Sequence, residues 1–580
     1  MKMRDRYLLG ILVVVAALAV FVSVIVETGV SRKTGPVWRV AEWTFQADRD
    51  YTSGGGDAVR LDVTFVHVTS GRKIVRPGFW DGERSFKVRF APTETGRWRW
   101  RSVCPDDKAL DGRTGRFDAE PYRGDLAVYR HGFIRAEPGR KYFTYADGTP
   151  FFYLGDTHWG MYREEFDSPG PAAGDTGAES HFKHVVRRRV EQGFTVYQSE
   201  PIGAKFDLRD GRVDAADIAG FREADGYYQT IADAGLVHAN AEFFYTADLT
   251  PSLASDEAAL ERLCRYWTAR FGAYPVLWTL AQEVDNDFYA ERKQKSSFYS
   301  VTNNPWVKIA EFLHRHDGYA HPLSGHQENT DNTTVTNSAF ADAAVARRTG
   351  HNWWAAQWGP AIVARVGWRI ATEYWQSDRP AVNYEGRYCN LWTKDFGSRA
   401  QGWIAFLSGF CGYGYGAIDH WLYQSTYDIE KESYDGYETI TKDDKLVPWS
   451  KSLEFPSAIQ MGYLREFFEA LPWWELEPDR AAWKFYAPDK DAVGTVAAKA
   501  GEIYVGYFNG TNVYTGKLLG ARAGQPYACD WFNPRAGTRV ASGDIRATKL
   551  GELILPRKPS EKDWVFTARL KDCQMKDSLP

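Results

Sequence analysis

The chain has 580 residues, 44% hydrophobic and 25% charged, with a formal net charge of −4. Such a length exceeds one ordinary core and implies about two to four domains, and nothing in the charge points to nucleic acid. Aromatics reach 15%, with 23 Trp; aromatic faces stack on the C–H faces of sugars, so a carbohydrate-handling protein is one reading and Trp-filled β-sandwich cores are the other.

Residues 7–26 (YLLGILVVVAALAVFVSVIV) are apolar and uncharged and follow Lys2, Arg4 and Arg6. Roughly 20 such residues span a bilayer, and no small-residue cleavage site follows Val26. Residues 1–30 are expected to form an uncleaved signal anchor with a cytoplasmic N-terminus, a cleaved signal being the alternative. Either way the remainder is expected outside the cytoplasm, with the membrane as a partner only through this segment. Six scattered Cys show neither metal nor framework spacing. His181-x-x-His184 and His314-x-His316 lie on helical runs without a third ligand, so no metal is expected.

Residues 37–122 read as an immunoglobulin-like β-sandwich. Ala58 to Val68 alternates with period two, as do Phe86 to Phe90 and Gly96 to Arg101, and turn signals separate them. From 130 to 480 short apolar runs alternate with amphipathic ones. Strands are expected at 150–156, 193–198, 237–245, 276–280, 320–326, 352–357, 380–384 and 409–416. Helices are expected at 181–192, 224–234, 256–271, 305–316, 339–348, 360–376, 398–408 and 458–470. Eight of each favour a (β/α)8 TIM barrel over an open sheet. The Gly412-x-Gly414-x-Gly416 spacing lacks the residues of a phosphate loop and reads as close strand packing. Residues 484–580 return to short alternating runs, a second β-sandwich that braces the barrel or binds sugar.

In this register Glu283 follows strand four and Glu385 strand seven, so both reach the C-terminal face of the barrel, where such enzymes hold their catalytic groups. Glycosidic cleavage needs two carboxyl groups, one to protonate the leaving oxygen and one to attack or to activate water. Strands four and seven suit the shorter, retaining separation of ~5–5.5 Å. Glu283 is therefore expected to be the acid/base and Glu385 the nucleophile, with no cofactor required. Asp285 and Asp287 are rivals at strand four. Polar and aromatic groups at other strand ends are candidate sugar contacts: Asp156, His158 and Trp159 (strand one), Tyr245 (strand three), Gln282 (strand four), His326 (strand five), Gln357 and Trp358 (strand six) and Trp421 (strand eight).

Trp38-Arg-Val-Ala-Glu-Trp-Thr-Phe45, Gly78-Phe-Trp-Asp-Gly82, Arg89-Phe-Ala-Pro-Thr93 and Phe151-Phe-Tyr-Leu-Gly-Asp-Thr-His-Trp159 carry a resemblance. The chain resembles the apiosidase-like glycoside hydrolases, clan-A (β/α)8 barrels with a sandwich before and a small sandwich after. By that resemblance Trp278-x-Leu-x-x-Glu283 is the acid-bearing strand and Asn383-Tyr-Glu385 the nucleophile strand. At 283 the chain has Ala-Gln-Glu where the family pattern has Gly-Gly-Asp, so the resemblance implies fold and reaction class and leaves the sugar open. The leading expectation is an exported retaining glycoside hydrolase acting on an oligo- or polysaccharide. A non-catalytic carbohydrate-binding or envelope structural protein on the same barrel is the alternative, and a transglycosidase is a third.

Overall fold

The computed structural model describes residues 31–580 apart from 171–176, 178, 201–206, 242–248, 287–301, 328–334, 336–337, 359–367, 392, 422–428, 431–444, 480, 482, 485–493 and 572–580. The apolar run 7–26 lies outside the described residues. Among those described, no helix is long and apolar enough to cross a membrane. The chain divides into two units, Met1–Arg123 and Gly124–Pro580.

In the first unit, five strands lie in the order Ser31–Pro36, Thr114–Glu120, Gly96–Val103, Asp62–His67 and Lys73–Pro77. A second sheet joins Ala41–Gln46, Ser85–Phe90 and Phe79–Trp80. The period-two alternation turns Val63, Phe65 and His67 inward, because successive side chains of a strand point to opposite faces. Trp43 of the small sheet meets Phe65, Trp100 and Phe117 of the large one, and Phe65 stacks on Phe90 at 3.9 Å. Much of this unit's aromatic content is therefore core.

The second unit holds eight parallel strands in one sheet. They are Tyr153–Gly160, Val196–Glu200, Val237–Asn240, Val276–Trp278, His326–Gln327, Trp354–Gln357, Ala381–Glu385 and Gly412–Tyr415, here numbered one to eight. Their order is four-three-two-one-eight-seven-six-five. A parallel bridge from Trp278 to Leu323, just ahead of strand five, joins the two ends in a TIM-like barrel. Helices alternate with the strands, as in Asp217–Asp233 between strands two and three and Asp395–Leu407 between seven and eight. Several boundaries differ from the sequence expectation, strand five being confined to His326–Gln327 and the helix ahead of strand six starting at Ala343. Pro150–Phe151 pairs with Phe143–Tyr145 in a separate small sheet, strand two runs on to Glu200, and the helix before strand three starts at Asp217.

The barrel interior explains the glycine spacing of strand eight. A methyl group on Gly412 would lie 2.6 Å from Cβ of Tyr153, and one on Gly414 would lie 2.0 Å from the Tyr384 carbonyl oxygen. Gln198 passes between them. Its Nε2 donates to the Tyr384 carbonyl at 2.8 Å, and its Oε1 accepts from the Tyr153 hydroxyl at 3.2 Å. Strand two is thereby tied across the interior to strand seven, one residue from Glu385.

The C-terminal region holds a six-stranded and a three-stranded sheet, and helices Asp395–Leu407 and Pro456–Glu469 pack on the six-stranded one. Trp403 stacks parallel to Tyr507, and Phe467 meets Phe532. Asp563, just ahead of the inner strand Trp564–Leu570 of the six-stranded sheet, accepts both Nε (2.8 Å) and Nη2 (3.0 Å) of Arg399, and also the Tyr507 hydroxyl and Arg535. Burial opposes the charge on Asp563, but these guanidinium groups hold its carboxyl below the usual range. Cys104, Cys264, Cys389, Cys411 and Cys529 are buried free thiols.

Candidate active site

The chain leaves strand four in a tight turn in which Leu280 (φ 58°) and Glu283 (φ 49°) are both left-handed. For residues other than glycine that conformation costs on the order of 1–3 kcal/mol each and persists only where neighbours impose it. The neighbours are identifiable. The Val284 N–H donates to the His326 carbonyl at 2.9 Å, and Asn304 Nδ2 donates to the Val284 carbonyl at 3.0 Å. Glu283 is half-buried; its Oε2 accepts from Asn286 Nδ2 at 3.0 Å and its Oε1 from Gln357 Nε2 at 3.4 Å.

Glu385 is the last residue of strand seven and is buried. Its Oε1 accepts from the Tyr388 hydroxyl, which accepts in turn from Trp159 Nε1 at 2.5 Å. Its Oε2 lies 3.3 Å from His326 Nε2. Gln357, paired with Glu385 across a bulge between strands six and seven, bonds this carboxyl as well. One amide group thus contacts both acids. Burial pushes Glu385 up to about 7, against the hydrogen bonds of Tyr388 and Gln357. Trp159 stacks on His326 with ring centroids 5.8 Å apart, and burial takes His326 down to about 3, leaving its imidazole neutral.

A third carboxyl belongs to the same group. Glu200 ends strand two, fully buried, with Oε1 3.6 Å from His326 Nδ1. The Gln282 backbone is within hydrogen-bonding reach of it. Burial first, then the charges of Glu385 and Glu283, raise its pKa well above the ordinary carboxyl value. Sequence reading ended strand two at Gln198 and so missed this acid. The available signal was Pro201, which stops the strand directly after an acidic residue.

The other candidates fall elsewhere. Asp156 and His158 join a buried knot with Arg189, Glu164 and His420. Arg189 pairs with Asp156, His158 Nε2 lies 3.0 Å from Asp156 Oδ2, and His158 Nδ1 lies 2.7 Å from Glu164 and 2.9 Å from His420. Asp156 and His158, expected to contact sugar, are thus buried in ion pairs with these neighbours. Trp358 packs its ring on Phe410, which Tyr374 of helix Trp368–Gln376 also meets, and its backbone is clamped by Asn383. It belongs to the layer between strand and helix. Tyr245 and Asp287 lie outside the described residues. Trp421 closes the short helix Ile418–Trp421, and its side chain is likewise outside the description.

Among the described residues, Asp156, His158 and His420 have the spacing of a metal site, with ligand atoms within 4.8 Å of one another. The donor set does not suit a cation, because Arg189 already neutralises Asp156 and Glu164 already pairs with His158. The knot is an ion-paired brace from strand one to the helix after it and to the segment after strand eight. Burial opposes charge on both partners. Glu164 and Asp156 nevertheless raise His158 to about 9, and Arg189 and His158 lower Asp156 to about 2. A group whose folded pKa is raised stabilises fully below its unfolded value of 6.5 and ceases to as pH passes about 9. Asp156 has the opposite sign: its contribution is complete above 3.8 and lost as pH falls through about 2. The contribution of His158 is therefore expected to be complete below about pH 6.5 and to fade from there to pH 9, so the melting-temperature difference between wild type and His158→Gln should narrow over that range. The narrowing should amount to up to about 3 kcal/mol, as a pH series of thermal melts of the two proteins would read.

A family model described as the apiosidase-like catalytic domain matches residues 137–475. A second model, of a domain of unknown function termed DUF5060, matches residues 34–105. No curated protein matches the chain. Among solved structures, a protein of Bacteroides vulgatus ATCC 8482 described as a candidate glycoside hydrolase aligns with TM-score 0.63 at 18% identity, over 93% of this chain and 100% of its own. A structure named simply a glycoside hydrolase aligns at 0.57 and 14% identity, over 77% of this chain and 99% of its own. A family 5 glycoside hydrolase from the same Bacteroides strain aligns at 0.57 and 13% identity, over 76% and 94%. At such identities these likenesses speak for the fold alone.

Proposed function

The chain belongs to the apiosidase-like family of glycoside hydrolases, and from that premise we propose that Glu283 and Glu385 cleave an O-glycosidic bond by double displacement. Glu283, half-buried and held by amide donors, protonates the leaving oxygen and later activates water. Glu385, buried and hydrogen-bonded by Tyr388, attacks the anomeric carbon. The observation that carries this reading is the Gln357 amide, which contacts both carboxyl groups at the mouths of strands four and seven. Two acids bridged by one amide suit the shorter carboxyl separation, that of retaining enzymes at ~5–5.5 Å. The substrate class is an oligo- or polysaccharide. We also propose export, with residues 7–26 as the anchor, supported by their length and the preceding basic residues.

A product screen of the purified full-length protein on oligosaccharides and p-nitrophenyl glycosides tests the reading. The first sugar released is expected to keep the anomeric configuration of the substrate, as followed by NMR in the first minutes. An inverted first product would sink the double displacement. Because the nucleophile must be ionised and burial raises Glu385 to about 7, kcat/KM is expected to fall on the acid side of about pH 7.

A further inference from the structure

Three carboxyl groups and one imidazole, contributed by strands two, four, five and seven, meet at the top of this barrel, and double displacement uses only two of them. Glu200 is the unused acid. It sits 3.6 Å from His326 Nδ1, while His326 Nε2 sits 3.3 Å from Glu385 on the far side of the same ring. The imidazole lies between two buried carboxyls, close to each. Trp159 over its face and Tyr384 at its edge, 5.0 Å away, hold the ring in that plane.

Proton accounting fixes the state of this chain of groups. A neutral imidazole has one N–H and one lone pair. If Nε2 carries the hydrogen, it is available to Glu385, and the Nδ1 lone pair then faces Glu200, the one acid beside it among the described residues. If Nδ1 carries the hydrogen, the Nε2 lone pair faces the Glu385 carboxylate and repels it. The groups that bear on Glu200 are Glu385 from strand seven, Glu283 and the Gln282 backbone from the strand-four turn, His326 from strand five, and the Tyr384 hydroxyl. Among the described residues no cation bears on Glu200, so a second negative charge so close to Glu385 would be unsupported.

We propose that Glu200 is a positioning residue: as a neutral carboxylic acid it donates to His326 Nδ1, which fixes the imidazole as the Nε2–H tautomer and aims that hydrogen at the nucleophile Glu385. Glu200 touches neither sugar nor reacting atoms. It acts through His326, and its task is to keep the imidazole a donor, so that Glu385 ionises more readily than its burial alone would allow. The role given to Glu385 rests on the double-displacement reading above; the protonation of Glu200 does not.

Two independent readouts test this on the full-length protein. The first is infrared difference spectroscopy at pH 8. Wild type is expected to show a carboxylic-acid carbonyl band that disappears in Glu200→Gln. Absence of the band, or its survival in the variant, overturns the proposal whatever the enzyme does. The second is the pH profile on the p-nitrophenyl glycoside that wild type turns over fastest. Glu200→Gln keeps a neutral donor toward Nδ1, so its acid limb is expected within 0.3 of a pH unit of wild type and its kcat within about threefold. Glu200→Leu loses the donor, and its acid limb is expected to rise by about one unit with kcat down about tenfold or more. A downward shift of a full unit in Glu200→Gln would mean that a charge had been removed, and would also overturn the proposal. If Glu200→Leu fails to fold, the Gln variant still decides. If the band behaves as expected while Glu385→Gln retains turnover, the double-displacement reading fails and the protonated Glu200 stands.

Discussion

Glu385→Gln is expected to reduce turnover by about a million-fold, the scale of removing a covalent nucleophile. The substitution keeps the volume and a partner for Tyr388, so stability should change little and the loss can be assigned to chemistry. Glu283→Gln should behave differently. On substrates with poor leaving groups it should lose about 10²–10⁴-fold, the usual share of a general acid. On a dinitrophenyl glycoside, whose leaving group needs no proton, formation of the glycosyl-enzyme should be nearly unaffected. Azide separates the two roles further. With Glu385→Ala it should attack in place of the carboxylate and give a glycosyl azide of inverted configuration. With Glu283→Ala it should intercept the covalent intermediate and give the retained one. Turnover that survives in Glu385→Gln would remove that residue from the reaction.

The second large effect is structural. Gly414→Ala is expected to cost more than the ~1–3 kcal/mol typical of overpacking, up to loss of soluble protein. The added methyl meets the Tyr384 carbonyl oxygen at 2.0 Å and Gln198 Oε1 at 2.7 Å. The first of these is backbone and cannot swing away. Relief requires strand seven to move, and with it Glu385, so residual folded enzyme should also be less active. Gly402→Ala is the control. Gly402 is helical, and its methyl would meet only side-chain atoms of Leu464, Met461 and Tyr413 at 3.1 to 3.4 Å. Helix propensity favours Ala there by about 1 kcal/mol, so the net change should be near zero. Denaturant unfolding of the two variants makes the comparison. Equal stabilities would refute the packing account.

The barrel was legible because most strands of its sheet lie in short apolar runs between amphipathic segments, and Glu283 and Glu385 stood out because each follows or closes such a run. Less was legible where a local signal was diluted. Gly220 weakens the helical pattern ahead of Ala224, yet Ile218, Phe221 and Tyr228 form one buried stripe from Asp217 onward. Strand two was cut short because Ser199 and Glu200 are polar, although both are buried at the strand's end. Asp156 and His158 were assigned to sugar because polar residues at a strand end usually face the cleft. Their partners Arg189 and Glu164 lie 33 and 6 positions from them, on other elements, where spacing along the chain carries no information. Tyr388 was passed over for a related reason, since its hydroxyl reaches Glu385 only through the fold of the loop after strand seven.

The Arg399–Asp563 pair sets an order of events during synthesis. Arg399 lies on the helix between strands seven and eight, and Asp563 is made 164 residues later, near the end of the chain. Until it emerges, Arg399 keeps only its bond to Gln460 on the neighbouring helix, and the Trp403 and Phe467 faces turned to the last sheet are uncovered; covering that guanidinium without its carboxylate would cost on the order of 3–5 kcal/mol. A nascent barrel is therefore incomplete even after its eighth strand has been translated. It can close into its final state only with the last sheet in place, so this protein matures from its C-terminal end and a chain ended after the barrel helices would be left waiting for that sheet.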